Sequence, residues 1–466
     1  MKTTTRPILL GSAKQRKLQR STEGLQLLGA AGVLIPLLAL LADGAASNLN
    51  SLETVTSFVN RASALVGTSL LLLHLILVAR VPWIEAVFGL DKLTGAHKKL
   101  GKPLVYILGL HFASSIYFYA LQNGEEILTA AVDLVGGYFE MLIATIGFAL
   151  MLVVTVSSIT AARRMLSYEF WYLIHLLSYI AVMLAIPHQF AFGSTFLAQP
   201  WMTTYFGALY IFVLLNVVWF RSLHPVVRAI AGGFKVSSVK PAGNNSTSVT
   251  VRGKGLAKLP FKSGQFFMVR VMTLKDFWKP HPFSASNSSG EGFLRFTIGN
   301  RGDFTARMQT IPVGTRIVLE GPYGVFTEAK RSKQKVTLIA AGIGVAPIRS
   351  LAQQLASKPG DLTIIYRANT EQDAALADEL VEISEKRGHE LKILTGPRDR
   401  HVPWLPEQRV RSKQKPDYIL LSELAPDILE SDIYICGPSQ WTNALVQTVS
   451  KLSIPKHQIH IEEFAW

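Results

Sequence analysis

The sequence predicts a membrane α-helical bundle of six spans, then a small antiparallel β-barrel, then an α/β domain with a parallel sheet. Three observations carry this. Six apolar stretches crowd the chain as far as Phe220; short strand-like runs broken by Gly, Pro and Asn follow; from Lys335 strands alternate with helical segments. At 466 residues and 49% hydrophobic, with a mean hydropathy of +0.28, the chain is too long for one ordinary domain and too apolar to be wholly soluble.

The six stretches are Leu25 to Leu41, Ala62 to Ala79, Leu100 to Leu121, Tyr138 to Ile159, Phe170 to Ile186 and Thr203 to Phe220. Each is about long enough to cross a hydrocarbon layer of roughly 30 Å. The first follows a basic tail, residues 1–24, and shows no cleavage site before the next span, unlike a secretory signal. Lys2, Arg6, Lys14, Arg16, Lys17 and Arg20 in the tail, Arg80, Lys92, Lys98, Lys99 and Lys102 in the second loop, and Arg163 and Arg164 in the fourth set the expected orientation. They put both chain ends in the cytoplasm and the protein in the plasma membrane, since cytoplasmic loops collect lysine and arginine. The acids Asp43, Glu53, Glu125, Glu126 and Asp133 fall in the opposite loops, against the single base Arg61. A net charge of +15 is thus largely a topology signal with attraction to anionic lipid, and it does not point to nucleic acid. The single cysteine, Cys436, permits no internal disulfide framework.

Residues 25–222 are therefore expected to form the bundle and 230–330 the barrel, with strands at Phe234 to Lys240, Ser248 to Arg252, Gln265 to Met272, Phe293 to Ile298 and Arg316 to Glu320. Residues 335–466 are expected to form the α/β domain, with helices at Pro347 to Ser357, Ala374 to Glu385 and Gln440 to Leu452, and its boundary in the charged stretch Ala329 to Lys335.

Four histidines in two apolar helices are the most informative feature of the bundle. His97 and His111 are 14 residues apart, His175 and His188 are 13 apart. At a rise of ~1.5 Å per residue, each helix holds its two imidazoles roughly 20 Å apart. Ionisable groups are costly in a bilayer, and imidazole ligates haem iron through a neutral ring nitrogen, so two helices equipped alike are expected to clamp two b-type haems. The expected pairs are His97 with His175 at the cytoplasmic level and His111 with His188 at the outer level. Fourteen residues bring a helix back within about 40° of its starting face, whereas thirteen leave it roughly 140° away. Pro187, just before His188, can kink or end the helix and re-aim that ligand. His74 is expected to pack in the bundle or beside a haem without ligating it, and His389, His401, His457 and His460 to face solvent. Arg61 and Arg80 bracket the second span as snorkelling anchors or partners for haem propionates.

In the α/β domain the run Ala340 to Pro347, with Gly342 and Gly344, follows a strand and opens a helix, where backbone amides can approach a pyrophosphate. A second tight turn, Cys436-Gly437-Pro438, ends a later strand of the same sheet. Upstream come His281-Pro282-Phe283-Ser284, then Gly302-Asp303-Phe304-Thr305, then Glu320-Gly321-Pro322-Tyr323-Gly324. In this order the motifs resemble the ferredoxin-NADP reductase fold. Behind six helices with paired histidines, residues 60 to 466 resemble the ferric reductase and NADPH oxidase superfamily.

The resemblance implies FAD in the barrel, lined by His281 to Ser284 with Ser284 at the reactive edge, and held at its phosphates by Arg301, Gly302, Asp303, Phe304 and Thr305, with Gly321 and Gly324 nearby. It implies a nicotinamide dinucleotide over Gly342, Gly344 and Pro347, with Cys436, Gly437 and Pro438 beside the nicotinamide. It also implies that a terminal aromatic, Trp466 or else Phe464, covers the flavin until nicotinamide displaces it. Arg367 at the end of a strand, with Arg398 and Arg400, favours NADPH over NADH.

The expected activity is transfer of electrons from cytoplasmic NAD(P)H through FAD and two haems to a small acceptor outside, oxygen or a ferric chelate, with no obligatory protein partner. Ser115 stands where animal oxidases carry a histidine one turn beyond the outer ligand, which weakens a strict oxidase assignment. There is no room for a calcium-binding EF-hand domain. Two other readings stay open: a haem subunit passing electrons to a partner protein, and a redox sensor or transporter without catalysis.

Overall fold

In the computed structural model, residues 12–411 and 415–463 are described. The chain divides into two compact units. One comprises Ser21–Ile84 and Leu90–Arg221; the other runs from Ser222 onward and includes Glu85–Gly89 and residues 12–20. The bundle expected over 25–222 is therefore interrupted, because the loop Glu85–Gly89 folds with the soluble unit.

The first unit is built from helices α1 (Ser12–Ala42), α2 (Leu52–Val78), α3 (Leu90–Asn123), α4 (Phe139–Ser158), α5 (Tyr168–Phe192) and α6 (Pro200–Asn216). The last continues through a π-helical stretch, Val217–Leu223, into a helix at His224–Gly232. Six stretches are long and apolar enough to cross a membrane, as the composition predicts. Local chemistry starts them: the Ser51 hydroxyl accepts from the Thr54 amide in a capping box, Ser167 accepts from Phe170, and Pro200 opens α6. Their polarity is inverted relative to a soluble bundle. Leu27, Phe139, Leu142, Leu173 and Ile211 face outward, while Ser63, Thr68, Ser69, Ser114 and Ser157 lie inside. The first set suits a lipid environment; of the hydroxyls, Ser63, Ser114 and Ser157 close bonds to carbonyls of their own helices, whereas Thr68 donates to Gln189 on α5. Helix α3 packs along α2, and α5 along α4. Helix α5 runs through Pro187 to Phe192, so the proline does not end it, and Pro103 lies inside α3 between its two histidines.

The second unit opens with two three-stranded antiparallel sheets. The strands are β1 (Lys235–Pro241), β2 (Ser246–Arg252), β3 (Phe266–Val271), β4 (His281–Ser284), β5 (Leu294–Gly299) and β6 (Ile317–Tyr323), ordered β1-β2-β5 and β4-β3-β6. Single bridges at Lys235–Arg316 and Ala285–Phe296 link them, so the expected antiparallel barrel is seen as two three-stranded sheets without a continuous closing ladder. Phe234, Val249, Phe267, Phe296 and Leu319 fill the space between. The segment His281–Ser284, expected to follow a strand, is itself strand β4; at four residues, with a proline, it lacks the alternation that marks longer strands.

Next comes a five-stranded parallel sheet. Strands β7 (Lys335–Ala341), β8 (Leu362–Arg367), β9 (Glu390–Leu394), β10 (Ser431–Gly437) and β11 (Ile459–Glu463) alternate with helices α7 (Val345–Gln354), α8 (Ala377–Arg387) and α9 (Ser439–Ser450), in the order β11-β10-β7-β8-β9. Both faces are covered, by Ile348, Leu351 and Leu380 on one side and Trp404, Leu421 and Trp441 on the other. That explains why β8 and β10 read as unbroken apolar runs.

The stretch expected to separate the two soluble lobes is tightly held. Arg331 is fully buried and donates to the carbonyls of Lys333, Gln334 and Ala356. The Asp432 carboxylate accepts from the Ser332 and Lys333 amides at 2.6 and 2.5 Å. A charge cluster also bridges the lobes: Glu379 on α8 pairs with Arg295 on β5 and with Arg349 on α7, each at 2.7 Å. Burial alone would raise the Glu379 pKa, but the bonds and charge of Arg295, with Arg349, outweigh it and hold the carboxyl below the usual range. His389 is buried, not solvent-facing as expected, with Nε2 3.0 Å from the Ser357 hydroxyl. His460 is half-buried against Tyr434 with Nε2 3.3 Å from Asp432, whereas His401 and His457 are exposed.

Candidate functional site

Within the bundle unit, α3 and α5 bring the four histidines together in two pairs. The rings of His97 and His175 have centroids 6.1 Å apart, and those of His111 and His188 6.3 Å. A metal between two imidazoles, with bonds of about 2 Å to each nitrogen, separates ring centroids by roughly 6 Å, so both pairs fit one iron each. Helix α2 fixes the tautomers on α3. The Nδ1–H of His97 donates to the His74 carbonyl at 3.2 Å, and that of His111 to the Asn60 carbonyl at 3.3 Å. A carbonyl can only accept, so Nδ1 carries the proton in both rings and Nε2 is left with its lone pair for a metal. The His74 ring stacks on His97, with centroids 3.6 Å apart and planes 25° apart.

Arg61, on α2, donates through Nε to the Thr195 hydroxyl at 2.9 Å and lies 3.7 Å from Asp43. Arg80, past the end of α2, is buried and takes a left-handed backbone conformation, φ 61°. Arg221, in the π-helical stretch, donates to the Val78 carbonyl at 3.1 Å, and its charge acts on both His97 and His175.

In the soluble unit, the three motifs of the antiparallel lobe converge on β3. Strand β4 pairs along one edge, Ser284 opposite Phe266, and β6 along the other, with Tyr323 opposite Phe266. His281 stacks on Phe304 at 3.6 Å and 17°, and Phe283 lies parallel to Phe304 at 6.1 Å, so the HPFS and GDFT motifs share one ring cluster. Pro282 faces Met268 across the ladder. The Ser284 hydroxyl is buried, its residue 5% exposed, and has no hydrogen-bond partner among the described residues. A buried hydroxyl left so is costly, and a flavin ring edge is the kind of polar group it fits. Arg301, Gly302 and Asp303 stand exposed where the chain enters a short helix, Asp303–Met308, and the Thr305 hydroxyl accepts from the Arg301 amide at 2.8 Å, shaping that entry. On the far side of the motif cluster, Gly321 accepts from Arg228, and the Gly324 amide donates to the Glu85 carboxylate at 2.7 Å.

The parallel sheet reverses its strand order between β7 and β10, which leaves a crevice at their carboxyl ends. Both glycine turns open there. Gly342 has φ +53° with open space where a Cβ would sit; Gly344 lies so close to Cys436 and Gly437 that a Cβ could not fit. Pro347 is buried in the first turn of α7, and Pro438 precedes α9. The Cys436 side chain is wholly buried in the core with Tyr434 and Val345, so in this state its backbone, not its sulfur, borders the crevice. Strand β11 ends with Glu463 opposite Gly437, at the same edge. Phe464 and Trp466 lie outside the described residues.

Arg367 requires a correction. It is 3% exposed, and its guanidinium donates to the carbonyls of Ala368, Leu394 and Gly396 at the end of the sheet, so it does not present a fork to a 2′-phosphate. Burial, and then the charge of Arg398, push its pKa below the usual arginine value. Arg398 and Arg400 are exposed.

Three family models match in this order: a ferric reductase like transmembrane component over residues 63–186, an FAD-binding domain over 232–327, and an oxidoreductase NAD-binding domain over 338–447. In this order the three models match the arrangement of ferric reductase and NADPH oxidase-like fusions. Six helices long and apolar enough to cross a membrane thus stand with domains that match FAD-binding and oxidoreductase NAD-binding models. The chain is 26% identical over 237 residues to the propane 2-monooxygenase reductase component of Rhodococcus jostii, a match that covers 49% of this chain and 62% of that one. It is 24% identical to a flavohemoprotein of Vibrio cholerae, over 46% of this chain and 54% of that one. The chain thus spans between half and two-thirds of the length of these relatives. Among solved structures, the flavohem-like FAD/NAD-binding domain of a nitric oxide dioxygenase from Vibrio cholerae aligns with 50% of the chain and 97% of its own length, at 20% identity and a TM-score of 0.39.

Sequence reasoning missed Glu85, Arg221 and the ring contact of His74. Glu85 is an acid in the same loop as Arg80 and Lys92, next to Trp83 and Ile84, and is 5% exposed. That mismatch of charge and apolar neighbours was its only local signal. Arg221 carried one too, as the base at the end of the sixth apolar run.

Proposed function

We propose that the protein carries electrons across the plasma membrane, from cytoplasmic NAD(P)H through FAD and two b-type haems to an acceptor outside, either oxygen or a ferric chelate. One observation carries this reading: two histidine pairs on the same two spanning helices, each at the spacing one iron requires. When bound, FAD accepts a two-electron hydride and haem iron passes electrons singly, which is why both are needed.

The residues divide the work. His97 with His175 would hold one haem and His111 with His188 the other, with the α2 carbonyls of His74 and Asn60 keeping the α3 rings in the ligating tautomer. Arg61, Arg80 and Arg221 are bases for propionates. Ser284 offers its free hydroxyl to the flavin edge, the loop Arg301–Thr305 its backbone to the FAD phosphates, and the Gly342–Gly344 turn a close approach to the dinucleotide. Trp466 would cover the flavin until nicotinamide displaces it, with Phe464 as the other candidate. Both termini lie in the cytoplasm on this reading. Support comes from connectivity: Glu85–Gly89, just before the His97 end of α3, and Ser222, just after Arg221, both belong to the reductase unit. The His97–His175 haem is then the first to receive electrons.

The test is pyridine haemochrome stoichiometry on purified protein, with His→Leu variants. Two haems per chain are expected, with one lost in His97→Leu or His175→Leu and the other in His111→Leu or His188→Leu. One haem in fully loaded protein would overturn the reading. Turnover with a ferric chelate and with a superoxide probe, in anaerobic and aerobic buffer, separates the two acceptors, and activity of the protein alone excludes the sensor reading and weakens the partner-subunit reading.

A further inference from the structure

The two histidine pairs share a spacing but not an orientation. The planes of His97 and His175 are 70° apart, close to perpendicular, whereas those of His111 and His188 are 26° apart. The difference has a visible origin. His97 is held twice by one residue: its Nδ1–H donates to the His74 carbonyl, and its face lies against the His74 ring at 3.6 Å and 25°. His175 follows a different template. Its ring stacks on Trp171, one turn earlier on α5, at 5.0 Å and 29°, and the Trp171 indole is itself tied to the Ser158 hydroxyl at 3.2 Å. Each ring of this pair therefore takes its plane from its own aromatic neighbour on its own side. His111 has the equivalent carbonyl bond, to Asn60, but among the described residues no ring stacks on it other than His188.

We propose that His74 is a positioning residue, which sets the plane of His97 and so makes the two haems electronically inequivalent: crossed axial ligands at His97–His175 and near-parallel ligands at His111–His188. This rests on the two-haem reading above. The physical reason is orbital overlap. An imidazole donates π density to the iron d orbital perpendicular to its own ring. Parallel rings load the same orbital and split the pair of dπ levels; crossed rings load one each and leave them nearly degenerate. Ferric low-spin iron reports that splitting directly, with a rhombic three-feature EPR spectrum when it is large and a single dominant low-field feature when it is small.

The experiment is low-temperature EPR of the oxidised, full-length holoprotein, with haem and flavin content measured on the same samples. Wild type is expected to show both signal types in equal amount. The dominant low-field feature should vanish in His97→Leu and the rhombic signal in His111→Leu. His74→Leu, which keeps the backbone carbonyl but removes the ring, should convert the low-field feature toward rhombic without loss of haem; His74→Phe, which restores a flat ring, should retain it. Trp171→Leu gives the same conversion from the other ligand, so the inference can still be judged if His74→Leu fails to assemble. Two identical rhombic signals in wild type would overturn the proposal, as would a low-field feature unmoved by both His74→Leu and Trp171→Leu. A haem stoichiometry of one would instead overturn the two-haem reading on which it rests.

Discussion

Replacing Gly344 by alanine should disable use of the nicotinamide cofactor while leaving the flavin in place. A Cβ at this position would run into the Cys436 carbonyl oxygen, lie 2.5 Å from its carbon and come within 2.9 Å of the Gly437 nitrogen. Ordinary contacts between carbon atoms are about 3.5 to 4 Å, so the two turns at the crevice must part by roughly 1 Å. All the atoms met are backbone and cannot rotate away. Overpacking of this kind costs about 1–3 kcal/mol, and with tenfold in rate per ~1.4 kcal/mol, kcat/KM for NAD(P)H should fall by roughly 5- to 150-fold. The assay is NAD(P)H-driven ferricyanide reduction, which needs FAD but not the haems, with flavin content measured by absorbance. Gly342→Ala is the control: its Cβ meets nothing within 4 Å, but its φ of +53° suits glycine, so a cost of about 1–2 kcal/mol and a smaller loss are expected. Wild-type kcat/KM in Gly344→Ala, or a loss no greater than in Gly342→Ala, would refute the argument that this turn must lie on Cys436 and Gly437 for the cofactor to bind.

Three further outcomes follow from other parts of the reductase unit. Glu379→Gln should lower its unfolding free energy by about 1–3 kcal/mol, between the values for exposed and buried pairs, because it leaves Arg295 and Arg349 facing each other; a denaturant midpoint unchanged from wild type would contradict this. Arg367→Ala should leave the NADPH-to-NADH ratio of kcat/KM unchanged while lowering the melting temperature, since the guanidinium serves three carbonyls, whereas Arg398→Ala should reduce the preference for NADPH; the reverse pattern would restore Arg367 as a phosphate ligand. Burial, then the charge of Arg387, lowers the His389 pKa from the ordinary 6.5 to about 4. Between those values the unfolded chain binds a proton that the folded one refuses, so stability present above pH 6.5 should be lost as pH falls toward 4, and His389→Gln should flatten that slope in thermal melts; an equal slope in the variant would assign it elsewhere.

The spans were legible because a bilayer makes its demand locally: about twenty apolar residues must satisfy their own backbone bonds, and that requirement is written within each segment. The glycine turns and the alternation of strands and helices were legible for a similar reason, being properties of a few neighbouring residues. The four histidines and their expected pairing were also in the sequence, but how His188 comes to face His111 was not, because a thirteen-residue spacing on an ideal helix faces the wrong way and helix α5 nevertheless continues through Pro187. Only the tertiary arrangement, α3 packed along α2 and α5 along α4, brings those rings to 6.1 and 6.3 Å. Contacts between residues far apart in the chain decided the rest. Arg367 looked like a phosphate ligand at a strand end until β9 and its turn supplied carbonyls to bind it. His389 looked exposed among charges until Ser357 and the α/β core covered it. Glu85 belonged by sequence to a membrane loop, yet its carboxylate found the Gly324 amide in the flavin lobe. Polar side chains are placed by whichever donors or acceptors the fold happens to bring within 3 Å, and no local pattern encodes those partners.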